Sequence, residues 1–278
     1  MTRLVIDSTC DLPDETLTRL NITMVPLKVH FGDEVYRDRI EISEAEFFDK
    51  LERAAKLPTT SQPSPGEFQE AYEKLPKDEP VISIHIASTL SGTVQSAKLA
   101  AEALPDRDIH VVDSDNVTWA AGLLVLAAAE AVKQGKSPPE IVAMLEDKKK
   151  RARLVAALDT LKYVIMGGRL SRAQGMIGSM LRVKPIMFVQ GGVIGRGSPA
   201  RHWAQAREKL IEDVRAHGGA EGPIAVIQAR APEELPRLRD AVARAFPDNE
   251  ILTGSIGPVV ATHGGPGAAG VAYIARQD

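Results

Sequence analysis

Small hydroxyl and glycine residues follow directly after the apolar run at residues 81–86, namely Ser88, Thr89, Ser91, Gly92 and Thr93. The run has the length and β-branched content of a buried strand, and the residues after the turn fit a helix. A strand, a polar turn and a helix N-terminus form the usual ligand position of an open α/β sheet. Unpaired amides at the helix start carry partial positive charge, so this turn suits an anion. The alternative is that Ser91 only caps the helix.

Two other polar segments could contribute to the same site. The turn at residues 7–13 follows a short strand, and it would lie beside the first turn if the sheet is parallel. Residues 58–63 place three consecutive hydroxyl side chains between prolines, immediately before a helix start. The alternative for this second segment is a solvated linker, because such clusters are common in loops.

Nucleophilic catalysis is a further hypothesis. Ser91 could serve as nucleophile and His263 as base, with Asp7 or Asp113 orienting the histidine. His263 lies in a glycine-rich segment that we expect to be a tight loop, whereas His85 lies inside an apolar strand and is expected in the core. The sequence contains no nucleophile elbow, zinc-protease or phosphate-loop motif.

The glycines at 265–270 match the spacing of a dinucleotide-binding fingerprint, but the surrounding pattern does not. That motif needs a following helix and an acidic residue about 20 positions later, whereas eight strand-like residues end the chain. The histidines show no metal-ligand spacing. We therefore expect no metal and no cofactor.

The composition of the chain argues against several classes of protein. A net charge of -3, from 34 basic and 37 acidic residues, gives no signature of nucleic-acid binding. The single cysteine, Cys10, excludes an internal disulfide framework and fits a reducing cytoplasm. The longest apolar run, residues 119–129, is shorter than the roughly 20 residues of a membrane span. The sequence therefore predicts a cytoplasmic protein without an integral membrane segment.

The order of elements predicts a two-domain α/β fold. Strands and helices alternate through residues 1–151, which indicates a doubly wound parallel sheet. Residues 152–278 mix a hairpin with helices and further strands, which indicates a separate α+β domain.

Several individual elements are also predicted. Residues 22–31 have the pattern of one strand, with Pro26 marking an edge or an irregularity. Capping boxes at Ser43 and Ser64 each predict a helix start. Ser198 and Pro199 predict the start of a long helix that ends near residue 217.

Five dispersed motifs, in a fixed order, carry a resemblance to a known family. The chain resembles the DegV family, bacterial fatty-acid-binding proteins that act as the lipid-binding subunit of fatty acid kinase. The motifs cover nearly the whole chain and are Asp7-Ser8-Thr9-Cys10-Asp11-Leu12-Pro13, Thr60-Ser61-Gln62-Pro63-Ser64-Pro65, Leu90-Ser91-Gly92-Thr93-Val94-Gln95-Ser96-Ala97, Leu161-Lys162-Tyr163 with Gly167-Gly168-Arg169-Leu170-Ser171, and Thr262-His263-Gly264-Gly265-Pro266-Gly267.

The resemblance implies a two-domain α/β fold with a long-chain fatty acid at the domain junction. Its carboxylate is then expected to be held by Thr60 and Ser91, with His263 in the same hydrogen-bond network. Additional head-group contacts are expected at Ser61, Gly92 and Thr93. The resemblance also implies that this chain has no catalysis of its own and presents the fatty acid to a separate kinase subunit. The basic loop with Arg169 and Arg172 is then expected to dock that partner. Transient membrane contact for lipid exchange is compatible with this function.

The acyl chain requires an apolar tunnel. The small and aliphatic residues of the second half are the candidates for its wall, although each could equally be ordinary core. These candidates are Ile165, Met166, Ile177, Met180, Leu181, Ile186 and Phe188.

Overall fold

Strands and helices alternate through the first half of the computed structural model, which describes residues 1–169 and 183–277. The strands are β1 (Arg3–Asp7), β2 (Ile22–Val25), β3 (Lys28–Phe31), β4 (Glu34–Arg37), β5 (Thr59–Ser61), β6 (Val81–His85) and β7 (Ile109–Asp113). The helices are α1 (Asp14–Leu20), α2 (Glu44–Arg53), α3 (Pro65–Glu73), α4 (Thr93–Glu102), α5 (Thr118–Lys133) and α6 (Pro138–Lys148).

A parallel sheet in the order β2-β1-β6-β7 organises this half. Helices α3 and α4 cover one face, where Phe68 and Tyr72 pack against Val5. Helices α5 and α6 lie on the other face. Strand β6 is buried along its whole length because both faces of the sheet are covered, as its apolar run indicates. The predicted doubly wound sheet is confirmed.

A small antiparallel sheet in the order β4-β3-β5 flanks the parallel sheet, and the sequence did not predict it. The prediction of one strand over residues 22–31 is wrong. That segment divides into β2 and β3, which belong to different sheets, and Pro26 lies in the break because it has no amide to donate to a ladder. The solvated-linker alternative for residues 58–63 is also wrong, because β5 pairs with β3 through Thr60 and Val29.

The second half forms a mixed sheet in the order β10-β9-β8-β13-β11-β12. The predicted hairpin is confirmed as β9 and β10, which pair antiparallel. Helices α8 and α9 pack on one face of this sheet, and the other face turns toward the first half. Its elements are β8 (Ala152–Ala157), α7 (Lys162–Met166), β9 (Ile186–Gln190), β10 (Val193–Arg196), α8 (Trp203–Ala216), β11 (Ile224–Ala229), α9 (Glu234–Ala245), β12 (Ile251–Ser255), α10 (Pro258–Gly264) and β13 (Ala268–Ile274).

Two local predictions in this half need correction. The helix expected to begin at Ser198 begins at Trp203, because Ala200 pairs with Lys184 in an isolated bridge and His202 supplies the cap. His263 lies in the last turn of the short helix α10 rather than in a loop. The glycine loop starts just after it, at Gly265 with a φ of +76°.

One hydrophobic cluster joins the two large sheets. It contains Leu4 and Ile84 from the parallel sheet together with Leu154 and Ile227 from the mixed sheet. The strands of the mixed sheet begin at Ala152, but this shared core means that the halves are closely packed. The division into domains at residues 151 and 152 stays a prediction.

Candidate functional site

A cavity of about 680 Å³ lies between the two large sheets. Both halves of the chain line it. Ile86 directly follows β6 and Val117 directly precedes α5, whereas Leu154, Met187 and Val189 come from the facing side of the mixed sheet. The size falls within the usual range of small-molecule sites, about 300–1,000 Å³. Most of the wall is aliphatic, which suits a hydrocarbon.

Polar side chains gather at one end of the cavity, where four separated segments meet. Thr60 and Gln62 come from β5 and the residue after it, Ser91 from the turn before α4, His263 from α10, and Arg169 from the chain after α7. The predicted residues Thr60, Ser91 and His263 therefore line one cavity, although their roles in binding stay predictions.

The Thr60 hydroxyl and the Nε2 atom of His263 form a hydrogen bond of 3.0 Å across 203 positions of sequence. In the part of the chain that the structure describes, Nδ1 of His263 is buried without a hydrogen-bond partner. Burial and the nearby positive charge of Arg169 lower the pKa of His263 to about 4. The imidazole is therefore neutral near pH 7. If its proton is on Nε2, the histidine donates to Thr60, and the Thr60 hydroxyl is left to donate to a ligand.

Gly167 makes room for this imidazole. A methyl group on Gly167 would lie 2.2 Å from Nδ1 of His263, which is closer than atoms approach without a shift. The backbone of Gly167 is otherwise ordinary, with a φ of -70°. Glycine is thus required at this position by the histidine and not by the turn.

The start of α4 is open to a ligand. Gly92 is its N-cap residue, and no side chain caps the helix. Ser91 Oγ is instead 2.8 Å from Thr93 Oγ1. The alternative that Ser91 only caps the helix is therefore wrong. The unpaired amides of the first turn and the Ser91 hydroxyl remain as candidate donors to an anion.

The remaining predicted head-group residues differ in position. Ser61 lines the cavity, and its Oγ is 2.8 Å from Nε2 of His30. Gly92 lines the cavity as well, whereas Thr93 is fully buried behind it. Gln62 also lines the cavity. The sequence did not identify it as a site residue, because it was noted only as one residue of a family motif.

Arg169 is exposed at the cavity rim, and its Nη1 donates to the carbonyl oxygen of Gly167 at 2.7 Å. It is thus both a lining residue and a surface residue. Its positive charge is the one that acts on His263. Arg172, the other predicted docking residue, lies outside the described residues.

Among the described residues, the tunnel wall predicted from the second half is confirmed at one position and wrong at three. Met166 is 62% exposed, and Ile186 packs in the cluster on the far side of the mixed sheet. Phe188 does line the cavity, while Ile165 is only packed against the core. Ile177, Met180 and Leu181 lie outside the described residues. The aliphatic wall does come mainly from the second half, but from residues such as Leu154, Met187 and Val189, which face the cavity only once the mixed sheet has formed.

A buried acid lies behind the cavity wall at Thr118. Thr118 has a φ of +48°, which is rare for a β-branched residue, and its hydroxyl donates to Asp11 at 2.6 Å. The other Asp11 oxygen faces the Cα of Gly257, where a methyl group would lie 2.7 Å away. Burial raises the pKa of Asp11 to about 8.

The hydrogen bonds required by the serine-hydrolase hypothesis are not formed among the described residues. Asp7 bonds to His85, and His85 bonds to Ser83 at 2.7 Å, all in the buried core. Asp113 accepts from the backbone amide of Ser88. Neither acid orients His263, whose Nε2 bonds to Thr60 instead of Ser91. His85 is a core residue, as expected from its strand.

Within residues 1–169 and 183–277, histidine, cysteine and carboxylate side chains form no group of three that could hold a metal ion. A search of the same residues found no helix with the length and apolarity needed to cross a membrane.

Comparison with known proteins places these features in context. The family model described as "Uncharacterised protein, DegV family" matches residues 1–276. A DegV domain-containing protein from Deinococcus radiodurans is 39% identical over 279 residues, which cover 97% of this chain and 96% of that protein.

Two solved structures share the fold over 99% of this chain and 99% of their own. A DegV family protein from Thermus thermophilus, described by its fatty acid binding, has a TM-score of 0.92 at 35% identity. DegV from Bacillus subtilis, described as a fatty acid binding protein, has a TM-score of 0.86 at 37% identity.

Proposed function

Because this chain belongs to the DegV family, we propose that it binds a long-chain fatty acid in the cavity between its two large sheets. The observation that carries the proposal is the lining of that cavity, which combines a mostly aliphatic wall with polar side chains that include Thr60, Ser91 and His263. A fatty acid has the same division into an apolar chain and a polar head. The descriptions of the Thermus and Bacillus relatives support the same ligand class.

The proposed head-group site consists of Thr60, Ser91 and His263. A carboxylate between β5 and α4 would accept from the Thr60 and Ser91 hydroxyls and face the open amides of the α4 N-terminus. His263 would hold the Thr60 hydroxyl in its donating orientation. These are charge-assisted hydrogen bonds, which are stronger than those between neutral groups.

The acyl chain would supply most of the binding energy. Burial of each CH₂ group contributes about 0.8 kcal/mol, so a 16-carbon chain supplies on the order of 10 kcal/mol before ordering costs. The head-group contacts would then mainly orient the ligand, with the carboxylate at the polar rim and the chain inside.

Native mass spectrometry of the protein purified from a bacterial host tests this proposal. We expect a stoichiometric mass excess that solvent extraction identifies as free fatty acid. The bare mass of the chain, with no uptake of added palmitate or oleate, would count against lipid binding.

We further propose that this chain presents the carboxylate to a separate kinase subunit, which would form the acyl phosphate. The exposed position of Arg169 at the cavity rim, next to the proposed head-group site, supports a docking role for this residue. We expect Arg169→Ala to retain palmitate binding and to lose turnover with the kinase subunit. Arg201→Ala, another exposed arginine of the same half, serves as a charge-matched comparison in the binding assay. Loss of palmitate binding by Arg169→Ala would place the arginine in the head-group site instead.

A further inference from the structure

Gln62 occupies an unusual position over the N-terminus of α4. Its Nε2 donates to Ser96 Oγ at 3.1 Å, one turn into the helix. To reach Ser96, the side chain passes directly over Gly92. A methyl group on Gly92 would lie 2.3 Å from Oε1 and 2.6 Å from Nε2 of Gln62. The two residues fit only because residue 92 has no side chain.

The backbone conformation does not require glycine at residue 92. Its φ of -73° and ψ of 10° are open to other residues. The steric reason for glycine at this position is therefore the side chain of Gln62. This gives Gly92 a role other than the direct head-group contact expected from the sequence.

Side-chain hydrogen bonds help to hold strand β5 in place. It is the edge strand of the small sheet and pairs with β3 through three residues only. Thr60 and Gln62 are two positions apart, so in an extended chain they project to the same side. Thr60 is bonded to His263 on α10, and Gln62 is bonded to Ser96 on α4. The two hydrogen bonds connect the end of β5 to α10 in the second half of the chain and to α4 in the first half.

We infer that Gln62 is a positioning residue, which uses the bare Cα of Gly92 and the hydroxyl of Ser96 to hold Thr60 at the carboxylate site beside the α4 N-terminus. This inference rests on the proposed fatty-acid function and assigns part of its head-group geometry. The amide of Gln62 donates to Ser96, so the contribution that we assign to Gln62 in anion binding is geometric. Ser96 is buried and does not line the cavity, so its side chain acts on the ligand only through its neighbours, of which Gln62 is the one bonded to its hydroxyl.

The test compares palmitate with methyl palmitate, which has the same chain without an ionised head. Gln62→Ala, Ser96→Ala and Gly92→Ala are each expected to weaken palmitate binding roughly three- to tenfold, the range of one hydrogen bond. Binding of methyl palmitate should change less than twofold. Gln95→Ala, an exposed glutamine in the same turn of α4, is the matched control and should bind both ligands as the wild type does.

The double variant Gly92→Ala with Gln62→Ala isolates the contact between the two residues. We expect the double variant to bind palmitate as tightly as Gln62→Ala alone does. Without the Gln62 amide, the methyl group of residue 92 no longer has that side chain to clash with. If the double variant instead weakens palmitate binding by the product of the two single losses, residue 92 acts independently of Gln62.

Each other outcome has a definite meaning. Equal losses for palmitate and its ester would reduce Gln62 to a general structural residue, and an effect of Gln62→Ala without one of Ser96→Ala would indicate direct ligand contact. Either result overturns the positioning role. Wild-type protein that binds no palmitate would refute the proposed function itself, whereas wild-type binding with unchanged variants refutes only this inference.

Discussion

Replacement of Thr60 by valine removes one hydroxyl group and changes little else. Valine has nearly the shape of threonine and is well suited to a strand such as β5. The acyl chain does not depend on the hydroxyl, so its contribution to binding should persist. Thr60→Val therefore separates head-group recognition from burial of the chain.

Two costs follow from the loss of this hydroxyl. Nε2 of His263 loses its partner at 3.0 Å, and the imidazole then has neither ring nitrogen bonded to a described residue. This should lower the free energy of unfolding by about 1–2 kcal/mol. A carboxylate ligand would also lose one donor. A hydrogen bond to a charged group contributes about 1.5–3 kcal/mol, so we expect palmitate to bind roughly 10- to 150-fold more weakly.

Isothermal titration calorimetry with delipidated protein measures this loss, and methyl palmitate provides the uncharged comparison. Thr59→Val is the matched control, since Thr59 is the preceding residue of the same strand and is exposed. The control should bind palmitate normally. Palmitate binding by Thr60→Val within twofold of the wild type would refute the proposed role of Thr60.

Three further predictions concern pH and ligand length. Because the pKa of His263 is lowered to about 4 in the folded protein, the unfolded chain takes up a proton there at a higher pH than the folded chain does. Thermal stability should therefore fall as the pH drops from about 6.5 toward 4. His263→Phe should weaken this dependence in calorimetric scans. Because the pKa of Asp11 is raised to about 8, the folded protein should become less stable as the pH rises from about 4 to 8. Asp11→Asn should then melt at a higher temperature than the wild type at pH 9. An equal or lower melting temperature would contradict a destabilising buried charge at this residue. Saturated fatty acids should bind about tenfold more tightly for every two added CH₂ groups until the cavity is full, and a flat series in a displacement assay would exclude burial of the chain.

Local patterns predicted much of the fold correctly. The capping boxes at Ser43 and Ser64 both form as expected, because each depends on residues only three positions apart. The buried strand before Ser88 and the helix after Gly92 were also predicted from adjacent residues. The small sheet was missed because Pro26 divides one apolar run between two sheets, and nothing in the local pattern shows where the second part pairs.

The candidate site was predicted in part. Family motifs selected Thr60, Ser91 and His263, which all line the cavity, but residue types alone left a serine hydrolase open. The hydrogen bonds of Asp7 and Asp113 to other groups could be seen only after folding. Gln62 was missed because its importance comes from the space above Gly92 and not from its chemistry.

The sequence by itself determined most of the order of strands and helices, the polar turns and the family, since hydrophobic periods, caps and motifs are read over short stretches of chain. The tertiary structure alone decided what encloses the cavity and how its polar end is arranged. The hydrogen bond between Thr60 and His263 joins residues 203 positions apart, and the cavity wall is shared by the two halves of the chain. The lowered pKa of His263 has the same origin, because it arises from burial and from a charge brought near only by packing.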